Sequence, residues 1–390
     1  MYRTSKKIFI SVIYKMSLCR VNSVQSIGTR KKSGPLTAAI NIVGSGTYTV
    51  GTNTNNSADT YVTYIFTGNG ALAITNINAD LSLNVLAVGG GGSSGTNAPG
   101  GFAAGGGGGG GFVSKQYKLN SSSGLTETIT ITVGTGGTQG TQAFTNVYAG
   151  QQGNPTTVAY NTRSTLTRIA DGGGYGGAPY QNATAGSGGG ASYGSTGGGG
   201  GVDKSAGTRT ALSGQYVDNV GFVGGNAVSN NYNWGGGGGG ASAVGGPGVG
   251  GTRCGNGGAG LNSTLAGINS AWFFSGGGGG GALTGVATST AGNGGIGGGG
   301  GGIGYYNQSA LFLGTGGGST YTTSSINNAS GTRGATANPI KAGSGVPNSG
   351  GGAGGNGFQT VSGQGTATNA PGGSGIVIIA IKLTNIGTYT

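Results

Sequence analysis

Short bursts of alternating apolar and polar residues lie near both ends of the chain, and runs of glycine separate them. The cleanest alternation is 126–133 (Thr-Glu-Thr-Ile-Thr-Ile-Thr-Val). It puts Ile129, Ile131 and Val133 on one face and threonines on the other, the period-two signature of a half-buried strand. Residues 60–67 are β-branched and aromatic, and Gly68-Asn69-Gly70 behind them reads as a hairpin turn into 71–75. A short strand is expected at 47–50, a more central one at 81–88, and another at 112–119. In the last, Phe112, Ser114, Gln116 and Lys118 share one face and Val113, Tyr117 and Leu119 the other. Residues 156–160 and 166–170 form a further predicted hairpin. The most hydrophobic stretch is 375–383 (Gly-Ile-Val-Ile-Ile-Ala-Ile-Lys-Leu), a continuous β-branched run suited to a central strand buried on both faces. Paired with the early strands, it brings the two ends of the chain into one β-sandwich. No stretch carries the 3.6-residue spacing of a helix.

The glycine runs are the second pattern: 89–92, 105–111, 197–201, 235–240, 276–281 and 297–302. The usual meaning of such sequence is a flexible linker, and ordering glycine costs more backbone entropy than ordering any other residue. Two features favour order instead. Large apolar residues stand at the ends of the runs: Trp234, Trp272, Phe273, Phe274, Tyr305 and Tyr306. Disordered glycine-rich chains also carry proline and charge, whereas this one has 8 prolines and 6% charged residues in 390. The expectation is therefore a bundle of polyglycine II helices, extended left-handed rods of about three residues per turn and ~3.1 Å rise. Such a rod makes no internal hydrogen bonds, so each amide must bond sideways. A rod surrounded on all sides needs glycine throughout, and Gly107, Gly108, Gly237, Gly238, Gly278, Gly279, Gly299 and Gly300 are the expected interior positions, with the six aromatics as caps.

The predicted fold class is thus all-β: a jelly-roll-like β-sandwich with an inserted polyglycine II bundle and essentially no α-helix. The chain divides into a basic segment at 1–40, a sandwich at 41–171 with 374–390, and the glycine-rich bundle at 172–373. Composition agrees with a small apolar core. Glycine supplies 101 of 390 residues without a Gly-X-Y period, which excludes collagen, and hydrophobic residues only 34%. The net charge of +12 is concentrated: eight of the 18 basic residues fall in the first 32, leaving a nearly neutral body. No basic stripe for nucleic acid results. The basic head is either a solvated tail or a segment docked on a neighbouring subunit. Its apolar patch at 8–14 is broken by Lys15 and lacks a convincing cleavage site, so no signal peptide is expected, and no run is long enough for a membrane helix. Cys19 and Cys254 could pair, but nothing around them demands it.

Chemistry-bearing residues are sparse. There is no histidine, Glu127 is the one glutamate, and five aspartates are scattered. General acid–base, metal and Ser-His-Asp catalysis all lack their parts, so no enzyme activity, cofactor or metal is expected.

Several stretches together resemble the glycine-rich domain of phage and giant-virus tail-fibre and surface proteins: Tyr64-Ile65-Phe66-Thr67-Gly68, 81–92 with its Val-Gly-Gly-Gly-Gly exit, Gly111-Phe112-Val113, 126–137 and the closing 372–379. The resemblance covers roughly 47–383. It departs at Ala380 and Lys382, where that family ends on arginine and an aromatic, and in the length of the insertion. It implies a non-enzymatic structural protein on a virion surface or outside the cell, self-associating as a homo-oligomer or polymer, with the basic N-terminus free to touch other virion proteins. Polar turns with aromatic anchors leave open a second reading, an adhesin tip that binds host glycans or a receptor. Ice binding is a third, and the sequence shows no flat Thr/Ala repeat for it.

Overall fold

The computed structural model describes residues 40–95, 103–120, 125–138, 150–177, 187–191, 216–229, 233–284, 290–306, 310–318, 341–357, 370–384 and 386–390. The basic head through residue 39, Cys19 and the 197–201 run lie outside them. The strands are Ile40–Asn53 (β1), Tyr61–Thr75 (β2), Leu81–Val88 (β3), Phe112–Leu119 (β4), Glu127–Thr132 (β5), Thr156–Tyr160 (β6), Arg168–Ala170 (β7) and Tyr216–Val220 (β8). Short strands follow at Val228–Ser229 (β9), Asn233–Trp234 (β10), Leu261–Asn262 (β11), Phe273–Phe274 (β12), Ala282–Thr284 (β13), Ile303–Tyr306 (β14) and Ala310–Leu313 (β15). Ile376–Lys382 (β16) and Ile386–Tyr389 (β17) close the chain. Among the described residues the one helical element is a 3-10 turn at Ser164–Leu166. The fold is all-β.

One ten-stranded sheet forms the body, in the order β7-β6-β5-β2-β16-β3-β4-β8, with β1 along β2 and β17 along β1. The sheet branches at β2. Residues 61–66 of β2 pair with β16, residues 70–74 pair with β5, and β1 runs along the opposite edge throughout. The two branches curl over one another into a nearly closed, sandwich-like barrel. Ile42, Tyr64, Phe66, Leu72, Val85, Tyr117, Ile129, Val158 and Ile379 are among the side chains buried between them.

The branch corrects one sequence expectation. Gly68-Asn69-Gly70 is not a hairpin turn; β2 passes straight through it. The reversal falls at 54–60 instead, and β1 extends from Ile40 well beyond the expected 47–50. The glycines serve the change of partner. The β1–β2 register shifts between Gly46 and Tyr48, and Gly46 takes φ +97°, a conformation that side chains rarely adopt. Asn69 Oδ1 accepts the Val133 N–H at 2.9 Å, tying β5 to the bend.

The closing strand β16 lies between β2 and β3, and Ile376 through Ile381 have no exposed surface. Its odd residues face the barrel interior, and Ile376, Ile378 and Ala380 face outward. Segment 261–274 covers that outer face. Leu265, Ile268 and Phe274 pack against Leu86, Val88 and Phe112. Polar stitches hold it in place: Asn84 Nδ2 to Ala266 O at 2.8 Å, Thr63 Oγ1 to Gly267 O at 3.0 Å, and the Ser114 and Ser263 hydroxyls 2.8 Å apart. Each large apolar side chain buried here stabilises by roughly 1.5–3 kcal/mol.

Candidate functional site

The glycine runs pack side by side, and their hydrogen bonds carry a period of three. In rod 104–111, Gly105, Gly108 and Gly111 donate to Gly177, Gly174 and Asp171 of one neighbour. Gly106 and Gly109 donate to Gly236 and Gly239 of a second, and Gly107 and Gly110 to Ala353 and Gly350 of a third. Successive amides therefore point in three directions and return to the first after three residues, the geometry of an extended threefold helix. The same rod accepts from three other neighbours, through Gly92, Gly190 and Gly278. Rod 235–241 donates to 278–281, 188–191 and 243–246, and accepts from 255–258, 106–109 and 222–225. Rod 275–281 likewise exchanges bonds with six others.

These pairings define a hexagonal map. One row holds 150–154, 171–177, 187–191 and 221–226; the next holds 134–138, 89–95, 103–111, 235–241 and 243–248. A third holds 370–375, 350–357, 275–281 and 254–260, followed by 342–346, 299–303 and 291–296, with 314–318 at the corner. Strands and rods thus alternate along the sequence: segments 89–95, 103–111, 134–138, 150–154 and 370–375 leave the barrel to enter the lattice. In return β8, from the middle of the glycine-rich region, pairs with β4.

Interior positions leave no room for a side chain. A Cβ built on Gly107, Gly108, Gly237, Gly238, Gly278, Gly279, Gly299 or Gly300 would fall on a neighbouring carbonyl oxygen: those of Gly92, Ser187, Asn256, Gly107, Ala353, Gly292, Gly277 and Gly343 in turn. All are closer than the 3.0 Å that real Cβ atoms respect. Ser275 is an exception at a rod end. It is buried at φ 64°, its N–H donates to Ser349 O at 2.7 Å, and its hydroxyl donates to Gly110 O.

The aromatics expected as caps divide between the two ends of the lattice. Phe274 is buried against the barrel, with Trp272 half-buried beside it; Phe273 pairs with Asn262 through β12 and β11. Trp234 is buried at the far end with Cys254 and Ala282. Tyr305 and Tyr306 lie in β14, whose backbone pairs with β13 and β15. At that far end the rods open into a five-stranded sheet, β15-β14-β13-β10-β9. The span between the ends is roughly 19 Å for six residues at ~3.1 Å each. Burial pushes the Cys254 thiol up to about 12, against the opposing pull of backbone hydrogen bonds from Gly235 and Gly292.

Glu127 sits wholly buried inside the barrel, where its carboxylate accepts the N–H of Thr162 at 3.0 Å and the Thr162 hydroxyl. It is a structural anchor for the 161–163 turn. Among the described residues no group of three or more His, Cys, Asp or Glu side chains is placed to hold a metal, and no helix is long and apolar enough to cross a membrane. An open polar groove is lined by Lys118, Asn120, Thr162, Arg163 and Leu166, and Lys118 is tied to Asp80 at 2.6 Å.

Sequence reasoning missed Asn256 and Asn293, whose side chains bond between rods. The available signal was the repeated Gly-Asn-Gly at 255–257 and 292–294. The chain matches no family model and no curated protein.

Proposed function

We propose that the protein is a non-enzymatic structural component of a virion fibre, a surface decoration or an extracellular filament, and that its polyglycine II lattice is the stiffening element. The supporting observation is the hydrogen bonding of rods 104–111, 235–241 and 275–281, each bonded to six neighbours. A backbone cross-bonded in three directions resists bending and shear without an apolar core, which suits a spacer or shaft. Every interior amide of those three rods is spent on that network. The barrel supplies the apolar anchor. In this reading the basic head at 1–40 docks on a neighbouring virion protein or a second copy.

Electron microscopy of the purified protein, with amide exchange on the same sample, tests the reading. Rigid particles that build ordered polymers or defined oligomers, with rods 104–111 and 275–281 protected, are the expected outcome. Discrete particles that bind host cells would favour the adhesin reading. Rods that exchange as freely as a denatured peptide would end the structural one.

A further inference from the structure

Rods 243–248, 254–260, 291–296 and 314–318 form one straight flank of the hexagonal map. At such an edge, one of the three donor directions of each rod faces away from the lattice. In rod 291–296, Gly292 and Gly295 donate to Gly280 and Gly277, and Gly294 donates to Thr315. The remaining direction belongs to Asn293, and its N–H points out of the flank. Asn256 Oδ1 on the adjacent rod accepts it at 2.9 Å. One rod further along, Asn293 Oδ1 accepts the Thr315 N–H at 2.9 Å. Each carboxamide therefore occupies the place where the carbonyl of an additional rod would lie.

We propose that Asn256 and Asn293 terminate the lattice: they block this flank, on which a glycine rod from a second copy of this chain would otherwise add. An asparagine that merely shapes its own turn bonds to a backbone group about two residues on. These two reach rods 37 and 22 residues away. The flank would otherwise be adhesive. Val244 and Ile296 on it are 54% and 42% exposed, and its outward positions carry no charge. Unpaired backbone edges beside exposed apolar side chains invite pairing with another chain. The inference concerns how far the lattice extends and stands whether or not the protein belongs to a virion.

The test is sedimentation velocity across a concentration series on the full chain and two double variants. Asn256→Gly with Asn293→Gly frees the two outward amides that the carboxamides cover, those of residues 293 and 315, and lateral association beyond that of the wild type is expected. Asn256→Asp with Asn293→Asp keeps the acceptor oxygens, and wild-type behaviour is expected. Circular dichroism and a thermal melt on each variant verify the fold. A folded glycine variant that sediments as the wild type does would overturn the proposal. So would equal association of both variants, because the freed amides would then not be the cause.

Discussion

The rod lattice is tested most sharply by adding one methyl group. A Cβ on Gly278 would overlap the Ala353 carbonyl and stand 3.0 Å from Gly354 N. The obstruction is all backbone of one neighbouring rod, so no side chain can rotate away. To admit Gly278→Ala, rod 350–357 must part from rod 275–281. That breaks Gly352 N–H to Gly276 O at 2.8 Å and Gly355 N–H to Gly279 O at 2.7 Å. Leaving a buried polar group without its partner costs about 1–3 kcal/mol, so two broken bonds cost roughly 2–6 kcal/mol. The lower entropy of an unfolded alanine returns about 0.4–1 kcal/mol. The net loss of roughly 1–5.6 kcal/mol is a sizeable part of a typical stability of about 5–15 kcal/mol. Gly51→Ala is the matched control: a Cβ there meets nothing within 4 Å on the exposed side of β1. Urea unfolding of both variants against wild type reads the difference. If Gly278→Ala and Gly51→Ala unfold at the same midpoint, 276–281 is a loose loop and the rod lattice is wrong.

Other outcomes follow from single groups. Burial, with smaller contributions from Tyr117 and Glu127, holds the Tyr160 phenol well above its ordinary value of 10.0, and burial does the same for Tyr64. Because the folded values lie above the unfolded one, these phenols contribute full stability below about pH 10 and lose it progressively above. Absorbance titration should show both ionising only as the protein unfolds; reversible ionisation in the native state would contradict their burial. In a Cys19→Ser background, Cys254 should ignore a thiol reagent at neutral pH and react fully in denaturant, since its thiolate is disfavoured up to about pH 12. Rapid labelling of the native protein would mean that the far end of the lattice opens. Glu127→Ala should cost roughly 1–3 kcal/mol in urea unfolding, because the Thr162 N–H loses its acceptor; an unchanged midpoint would show that water replaces it. The ion pairs Lys118–Asp80 and Lys382–Asp59 are both well exposed, so melting should shift little with added salt.

Side-chain periodicity made much of the barrel legible. Strand-like composition, with alternation at 112–119, located β3, β4 and β6 to the residue, and the apolar run at 375–383 announced a strand buried on both faces, which β16 is. Those features are local, because a strand's two faces are written at every second residue. The glycine runs told as much about space: a segment without side chains is fit to be surrounded by backbone. The hairpin read at Gly68-Asn69-Gly70 failed because glycine permits a turn and a strand branch equally, and the choice lay with β16 and β5, which are distant in sequence. Likewise nothing in 276–281 distinguishes Gly276 from Gly277. Which amide bonds to which rod depends on the axial phase of each neighbour, and that phase is set by where the barrel and the far sheet hold the chain ends.

The residues alone thus specified strands and marked the glycine runs as segments without side chains, since backbone preference and side-chain volume act within a few positions. The hexagonal order of the rods, the placing of Phe274 at the barrel and Trp234 at the opposite end, and the use of Asn256 and Asn293 as edge groups arose from folding in three dimensions. Glycine carries no side chain to mark one partner from another, so its neighbours are chosen by the packing of everything around it.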